Sequence, residues 1–230
     1  MGKPLSFENK MVAVTGASGT MGRALLAELL SQGAKLMALT TSPQANFPAA
    51  IRVVPWQLGQ EAALQDIFPD VDILIINHGI NVHGERTAAA IAQSLQVNSL
   101  SVLALMDTFL AAHGDAADKE IWINTSEAEV GPAFSPLYEI SKRLIGDLIT
   151  LKRQDARCTI RKIILGPFKS NLNPVGIMSA ERVAKGVIAR AQRDRRNIIV
   201  TINPLTFIAF PIKETAQSLY FRLLTRSPQG

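Results

Sequence analysis

The chain has 230 residues, 47% of them hydrophobic and 19% charged. That is ample for one continuous core and excludes a disordered chain. The single cysteine, Cys158, excludes an internal disulfide framework and suits a reducing, cytoplasmic setting; with three histidines no metal-ligand spacing stands out and no metal is expected. The charge is uneven: residues 1–150 carry 9 Lys and Arg against 15 Asp and Glu, and residues 151–230 carry 15 against 4. The basic residues are scattered without interleaved aromatics, which argues against nucleic acid and for a solvated basic face.

The start, MGKPLSFENK, holds no long apolar run, so neither a secretory signal nor an anchor is expected, and the loose fit of Met1-Gly2 and Ser6 to a myristoylation pattern is read as coincidence. From Met11 onward, short apolar runs alternate with helical spacings. The runs are Met11–Val14, Lys35–Leu39, Ile51–Val54, Ile73–Ile76, Ile121–Ile123, Thr159–Leu165 and Asn197–Ile202. Between them, Met21–Gln32, Glu61–Phe68, Ala88–Ala112, Leu137–Gln154 and Ser179–Arg193 carry helix periodicity. Near-continuous apolar strands alternating with helices predict an α/β fold: a single doubly wound Rossmann-type parallel sheet with helices on both faces. Residues 1–230 read as one domain, with 204–230 as a C-terminal helical extension. In such folds ligands sit beyond the carboxyl ends of the strands, so the strand ends are where chemistry is sought.

The first run ends in Thr15-Gly16-Ala17-Ser18-Gly19-Thr20-Met21-Gly22 and a helix follows at once. Glycines here let the backbone approach a pyrophosphate closely, and the helix N-terminus offers unpaired N–H groups to it. The second run ends in Thr40-Thr41-Ser42. A carboxylate at this point would bind the ribose hydroxyl of NAD and repel a 2′-phosphate; hydroxyls favour NADP over NAD, with Arg23 a source of positive charge. The fourth run ends in Asn77-His78-Gly79, where Gly79 permits close cofactor approach and His78 is read as packed rather than catalytic.

The fifth run ends in Asn124-Thr125-Ser126-Glu127, with Thr125 the alternative to Ser126 as the residue aimed at the crevice. Tyr138 and Lys142 follow on one face of a helix that Pro136 suits as a start. An ammonium close to a phenol favours the phenolate and is expected to lower the tyrosine pKa. Glu127 and Glu129 read as solvated loop residues. The stretch Thr206–Arg226 mixes Phe207, Phe210, Tyr220 and Phe221 with Lys213 and Arg222; packing against the protein is favoured over a membrane-surface helix.

Taken together, the Thr15–Gly22 turn, Asn77-x-Gly79, Asn98, Ser126 and Tyr138-x-x-x-Lys142 resemble the short-chain dehydrogenase/reductase superfamily over nearly the whole chain. The segments IINHGINVHGERT, NTSEAEV, ILGPFKSNLNP and NPLTFIAFP also resemble a subgroup that can be joined to a sterol-desaturase-like membrane module, which these residues do not contain. The resemblance implies an NAD(P)-dependent carbonyl/alcohol oxidoreductase and a homo-oligomer. Tyr138 would be the general acid/base, Lys142 would hold the nicotinamide ribose, Ser126 would bond the substrate carbonyl, and Asn98 would support a proton relay. Gly16, Ser18, Gly19, Thr20 and Met21 would line the pyrophosphate, with Asn77 and Gly79 by the adenosine ribose. Thr40, Thr41, Gln57 and Leu58 would lie at the adenosine end, and Phe168 and Ser170 by the nicotinamide. Thr20 stands where the commonest turn has glycine, Gln57 where an aspartate is usual, and Gly166-Pro167 is the reverse of the usual order. The substrate is expected to be a small carbonyl/alcohol pair of apolar character. The alternatives are a non-catalytic NAD(P)-sensing protein and a sugar-nucleotide epimerase or dehydratase, the latter set back by the short chain left for a substrate domain.

Overall fold

The computed structural model describes residues 5–42, 45–114 and 116–225; the Met1–Pro4 start and Arg226 lie outside them. Among the described residues seven strands form one sheet: β1 (Met11–Thr15), β2 (Lys35–Thr40), β3 (Ile51–Pro55), β4 (Ile73–Ile76), β5 (Glu120–Ser126), β6 (Thr159–Leu165) and β7 (Asn197–Val200). Their order is β3-β2-β1-β4-β5-β6-β7, and every neighbouring pair is parallel. This is the Rossmann-type architecture expected from the alternating pattern. The strand order reverses between β1 and β4, which opens a crevice beyond their carboxyl ends.

Successive residues of each strand feed opposite layers. Val12 and Val14 of β1 join Trp122, Ile163 and Ile198 beneath the helices α1 (Thr20–Ser31) and α5 (Ala180–Gln192). Ala13, Leu74, Ile121, Ile123 and Ile160 point the other way. On that side they meet α3 (Ser101–His113) and α4 (Pro136–Lys152), through Phe109, Leu105, Ile145 and Ile149.

Two expected helices differ. Glu61–Phe68 forms no α-helix: it is a pair of 3-10 turns, Glu61–Leu64 and Phe68–Asp70. The segment is pinned between Gly59, at φ +86°, and Pro69, and so few residues barely repay helix nucleation; burial of Leu64 and Phe68 fixes the turns instead. The span 88–112 is helical but interrupted. A π-helical turn, Gln96–Leu100, separates α2 (Ala88–Leu95) from α3. That turn carries Asn98, and such turns recur at functional sites. By length and composition Ala88–His113 could cross a membrane, yet its inner side, with Val102, Leu105, Met106 and Phe109, belongs to the sheet core.

The last helix, α6 (Thr206–Leu224), packs beside α4 and accommodates Pro211 in its second turn. The expectation that this stretch packs against the protein holds for one face only: Thr206, Phe210 and Glu214 are buried.

Candidate active site

The turn after β1 is shaped to leave its backbone bare. Gly16 adopts φ +59°, and a Cβ there would lie 2.9 Å from the His78 Cα. A Cβ on Gly22 would overlap the Gly16 carbonyl, so α1 could not sit this close to the strand. Gly19 precedes α1 without a side-chain cap, and no acidic residue occupies its first turn. The N–H groups there stay available to an anion, and Ser18 and Thr20 border the open cleft beside them. Met21, in the first turn of α1, is buried with its side chain in the core rather than on the cleft.

At the end of β2, Thr40 is buried and its hydroxyl donates to Ser18 Oγ at 3.2 Å, while Thr41 is exposed. Arg23 reaches the same corner: its Nε donates to the Ser18 carbonyl and its Nη1 to the Asn46 carbonyl, both at 3.0 Å, with Phe47 under the guanidinium. Gln57 and Leu58 are exposed beyond β3. No carboxylate from β2 enters this corner.

Asn77 braces the crevice floor. Its backbone N–H donates to Thr15 Oγ1 at 2.9 Å, and its Oδ1 accepts from Asn124 Nδ2 at 2.6 Å. His78 is half-buried, held between the Thr15 and Ser101 hydroxyls at 2.9 and 3.1 Å, with Trp56 edge-on to its ring. Burial, and then the charge of Lys142, push its pKa down to about 3, so it is a neutral structural imidazole, as its sequence context suggested. A Cβ on Gly79 would lie 3.1 Å from Asn98 Oδ1 and 3.8 Å from Lys142 Nζ. A side chain at Gly79 would thus crowd Asn98, and with the bare glycine turn before α1 this leaves backbone that a cofactor can approach closely, so the residues present fit a dinucleotide.

Asn98 clamps the loop that follows. Its Oδ1 accepts from Ile80 N at 2.9 Å, and its Nδ2 donates to the Ile80 carbonyl at 3.0 Å and to Ser141 Oγ at 3.1 Å. The register of β5 decides between the two hydroxyls. Thr125 turns away and donates to the Ile163 carbonyl on β6, whereas Ser126 faces Tyr138 and its hydroxyl accepts from the Ala128 N–H at 3.2 Å.

Tyr138 and Lys142 share a face of α4, with the ammonium 5.6 Å from the ring centroid. Lys142 Nζ donates to the Asn124 carbonyl at 3.2 Å. Burial lowers the Lys142 pKa to about 8, opposed by the nearby Glu129 carboxylate. The expected lowering of Tyr138 is not what the structure gives: burial raises its pKa, and the Ser126 hydrogen bond offsets only part of that. Loss of water around the phenolate outweighs the lysine, whose charge lies over the ring.

Across the cleft, Ser170 closes a tight turn with Asn173 and lines a cavity of about 590 Å³ together with Thr20, Lys169, Ile177 and Met178. Phe168 instead packs on the core and pairs its backbone with Met178.

The sequence reading missed the charges behind the lysine. Glu129 is wholly buried, with Lys213 Nζ at 3.4 Å and Lys162 Nζ at 3.6 Å. Lys162 is also wholly buried, and donates to Glu214 Oε2 at 2.6 Å, to Thr150 Oγ1 and to the Gly146 carbonyl. Glu127 is likewise tied down, accepting from Thr201 Oγ1 at 2.7 Å and Thr206 Oγ1 at 3.2 Å. The solvated reading of both glutamates fails because their cationic and hydroxyl partners come from β6 and the far end of the chain. One signal was present: Arg161-Lys162 interrupts an apolar run expected to be covered on both faces, where a charge demands a partner. Glu129 sits against Gly146, where any Cβ would overlap its carboxylate. Gly146→Ala is therefore expected to lower stability: about 1–3 kcal/mol of overpacking outweighs the roughly 1 kcal/mol that alanine gains in a helix. Thermal denaturation checks this.

Residues 10–174 match the family profile described as short chain dehydrogenase. Monoglucosyldiacylglycerol epimerase from Synechocystis sp. is 56% identical over 235 residues, covering 98% of this chain and 57% of that protein, so the chain spans just over half of this relative's length. The 3-oxoacyl-(acyl-carrier-protein) reductase of Salmonella typhimurium is 36% identical over 89 residues, covering 33% of this chain and 36% of the reductase. Solved structures share the fold at low identity. A short chain dehydrogenase from Burkholderia cenocepacia in complex with NADP superposes with a TM-score of 0.78 at 20% identity, over 96% of this chain and 100% of that one. One from Sphingobium yanoikuyae in complex with NADPH gives 0.76 at 17%, over 96% and 98%.

Proposed function

The chain belongs to the short-chain dehydrogenase family, and from that premise we propose that it is an NADP(H)-dependent oxidoreductase acting on a sugar carbinol of a glucosyl-diacylglycerol lipid, with epimerisation as the net reaction. The convergence of Ser126, Tyr138 and Lys142 beside the Gly79 gap carries the redox reading. The relative's name supports the lipid substrate, because the likeness runs over nearly the whole of this chain. It also brings epimerisation forward from among the alternatives, on a lipid rather than a nucleotide sugar.

A bound nicotinamide dinucleotide supplies the hydride acceptor and donor. The chain's own residues handle the oxygen and its proton. Tyr138 takes the hydroxyl proton as the carbinol becomes a ketone, and Ser126 holds the oxygen by a hydrogen bond. Lys142, an ammonium at neutral pH, lies where it can hold the ribose. Inversion would require the ketone to turn its other face toward the bound dinucleotide before it is reduced again; Tyr138 would then give the proton back to the oxygen, and no net oxidation would result. A sensor would need no proton donor, so the assembled set counts against that alternative. Incubation of the chain with glucosyl-diacylglycerol and NADP⁺, followed by sugar analysis of the lipid, tests the reading. An unchanged sugar and no cofactor reduction would reject it.

The NADP preference rests on Arg23 and on Thr40 and Thr41 in place of a carboxylate. Arg23→Ala is expected to weaken NADPH binding about tenfold, the loss of one charge-assisted contact, and to leave NADH binding unchanged. Fluorescence titration of both cofactors reads the difference. A homo-oligomer remains part of the proposal, since Leu100 on the π-helical turn and Ile140 and Leu144 on α4 are exposed; light scattering measures it. A reducing, cytoplasmic setting is proposed on the lone cysteine, Cys158, whose thiol burial pushes up to about 11 and so makes inert.

A further inference from the structure

Helix α6 is built inside out. Its inner side buries polar Glu214 and Thr206 with Phe210, while Ile208, Ile212, Leu219, Tyr220, Leu223 and Leu224 are exposed. A helix made to face water carries its polar residues outward, and so much contiguous apolar surface marks an interaction site. The inner side is not free to turn around. Glu214 is held by Lys162, Arg153 and Thr150, Lys213 by Glu129 and Asp147, and Ser218 by Gln154. The apolar face is thus fixed outward over 19 residues, a length of about 28 Å.

Three observations identify what covers it. The first is charge: the only carboxylate of α6, Glu214, is buried, and Arg222 is its exposed charged side chain. An apolar face with a cationic and no anionic group complements an anionic lipid surface. The second is continuity with the active site, because Thr206 at the start of α6, and Thr201 in the loop before it, bond Glu127, the residue after Ser126. The third is that the strand-end loops around the site are capped with apolar side chains standing in the open: Phe134 is 96% exposed, and Val175 and Ile177 extend the same character on the far loop.

We propose that α6 lies in the surface of an anionic bilayer and holds the mouth of the active site against it, so that a lipid reaches Tyr138 with its acyl chains still in apolar surroundings. The choice of a lipid surface over other occupants rests on the glycolipid reading above.

The test is flotation of the full chain with phosphatidylcholine vesicles, with and without phosphatidylglycerol. The chain is expected to float with the anionic vesicles and to be released by salt. Ile212→Glu and Leu219→Glu alter side chains that are 66% and 56% exposed, so the fold and NADPH binding should be kept while vesicle affinity falls by about tenfold or more for each. No flotation of the parent, or equal flotation of the variants, overturns the proposal. So do variants that dissociate an oligomer without changing flotation, which would assign the face to a second copy of the chain. A water-soluble alkyl glucoside separates the two readings. Its NADP⁺-dependent epimerisation by a chain that does not float rejects the docking surface alone. Flotation with no epimerisation of soluble or lipid glucoside rejects the redox reading and leaves the surface in place.

Discussion

Turnover of a Tyr138→Phe variant is expected to fall by about 10²- to 10⁴-fold, the usual contribution of a positioned acid/base, with NADPH affinity close to the parent's. The ring stays in place under Lys142 while the hydroxyl beside Ser126 is lost, so only the proton transfer is removed. Formation of the epimeric glycolipid from glucosyl-diacylglycerol in the presence of NADP⁺ reads the first effect and fluorescence titration the second. A variant with full activity would remove Tyr138 from the mechanism, and one that loses NADPH would make it a binding residue. The pH dependence of the parent carries a sign of its own. Burial raises the Tyr138 pKa above 10.0, so the phenol dominates at neutral pH. Carbinol oxidation needs the phenolate and should accelerate as pH rises, while ketone reduction needs the phenol and should slow.

The catalytic face was legible because it is local. Tyr138 and Lys142 are one helical turn apart, and the glycine turn is contiguous in sequence. Ser126 could be reached only to within one residue, because a strand's two faces differ by one position and nothing in INTSE says which faces the helix. The structure settles it through the Thr125 hydroxyl, which bonds β6. Alternating apolar runs dictated the parallel sheet, since such strands can be covered only by helices on both sides. What escaped was whatever depends on distant pairing. Glu129 and Glu214 are 85 positions apart in sequence yet share Lys162, whose Nζ lies between them. The environment of Tyr138 escaped for the same reason: burial, the dominant influence on its pKa, is a property of the assembled fold.

Removing the Glu214 carboxylate, as in Glu214→Leu, is expected to cost about 3–5 kcal/mol, the penalty for leaving one partner of a buried ion pair unmatched. Lys162 has no exposed surface and Glu214 very little, so solvent cannot take over as partner. Arg153 loses its 2.9 Å contact at the same time. Glu129, 3.6 Å from Lys162, holds the loss toward the lower end of that range. Urea denaturation measures it, and a loss below about 1 kcal/mol would place the pair among weak surface bridges. The double variant with Lys162→Met should recover only part of the loss, because buried Glu129 then keeps Lys213 alone and Arg153 still lacks its carboxylate. The pH dependence has a defined direction. Lys162 and Arg153 hold the folded Glu214 pKa below the ordinary 4.5, so its contribution is complete above that value and disappears as pH falls through the folded pKa. The variant should lack this acid-side decline. Since Glu214 fixes α6 on α4 and β6, the single variant should also loosen the helix whose outer face is proposed to meet the bilayer. Vesicle affinity would then fall together with stability in Glu214→Leu, whereas Ile212→Glu lowers the affinity alone.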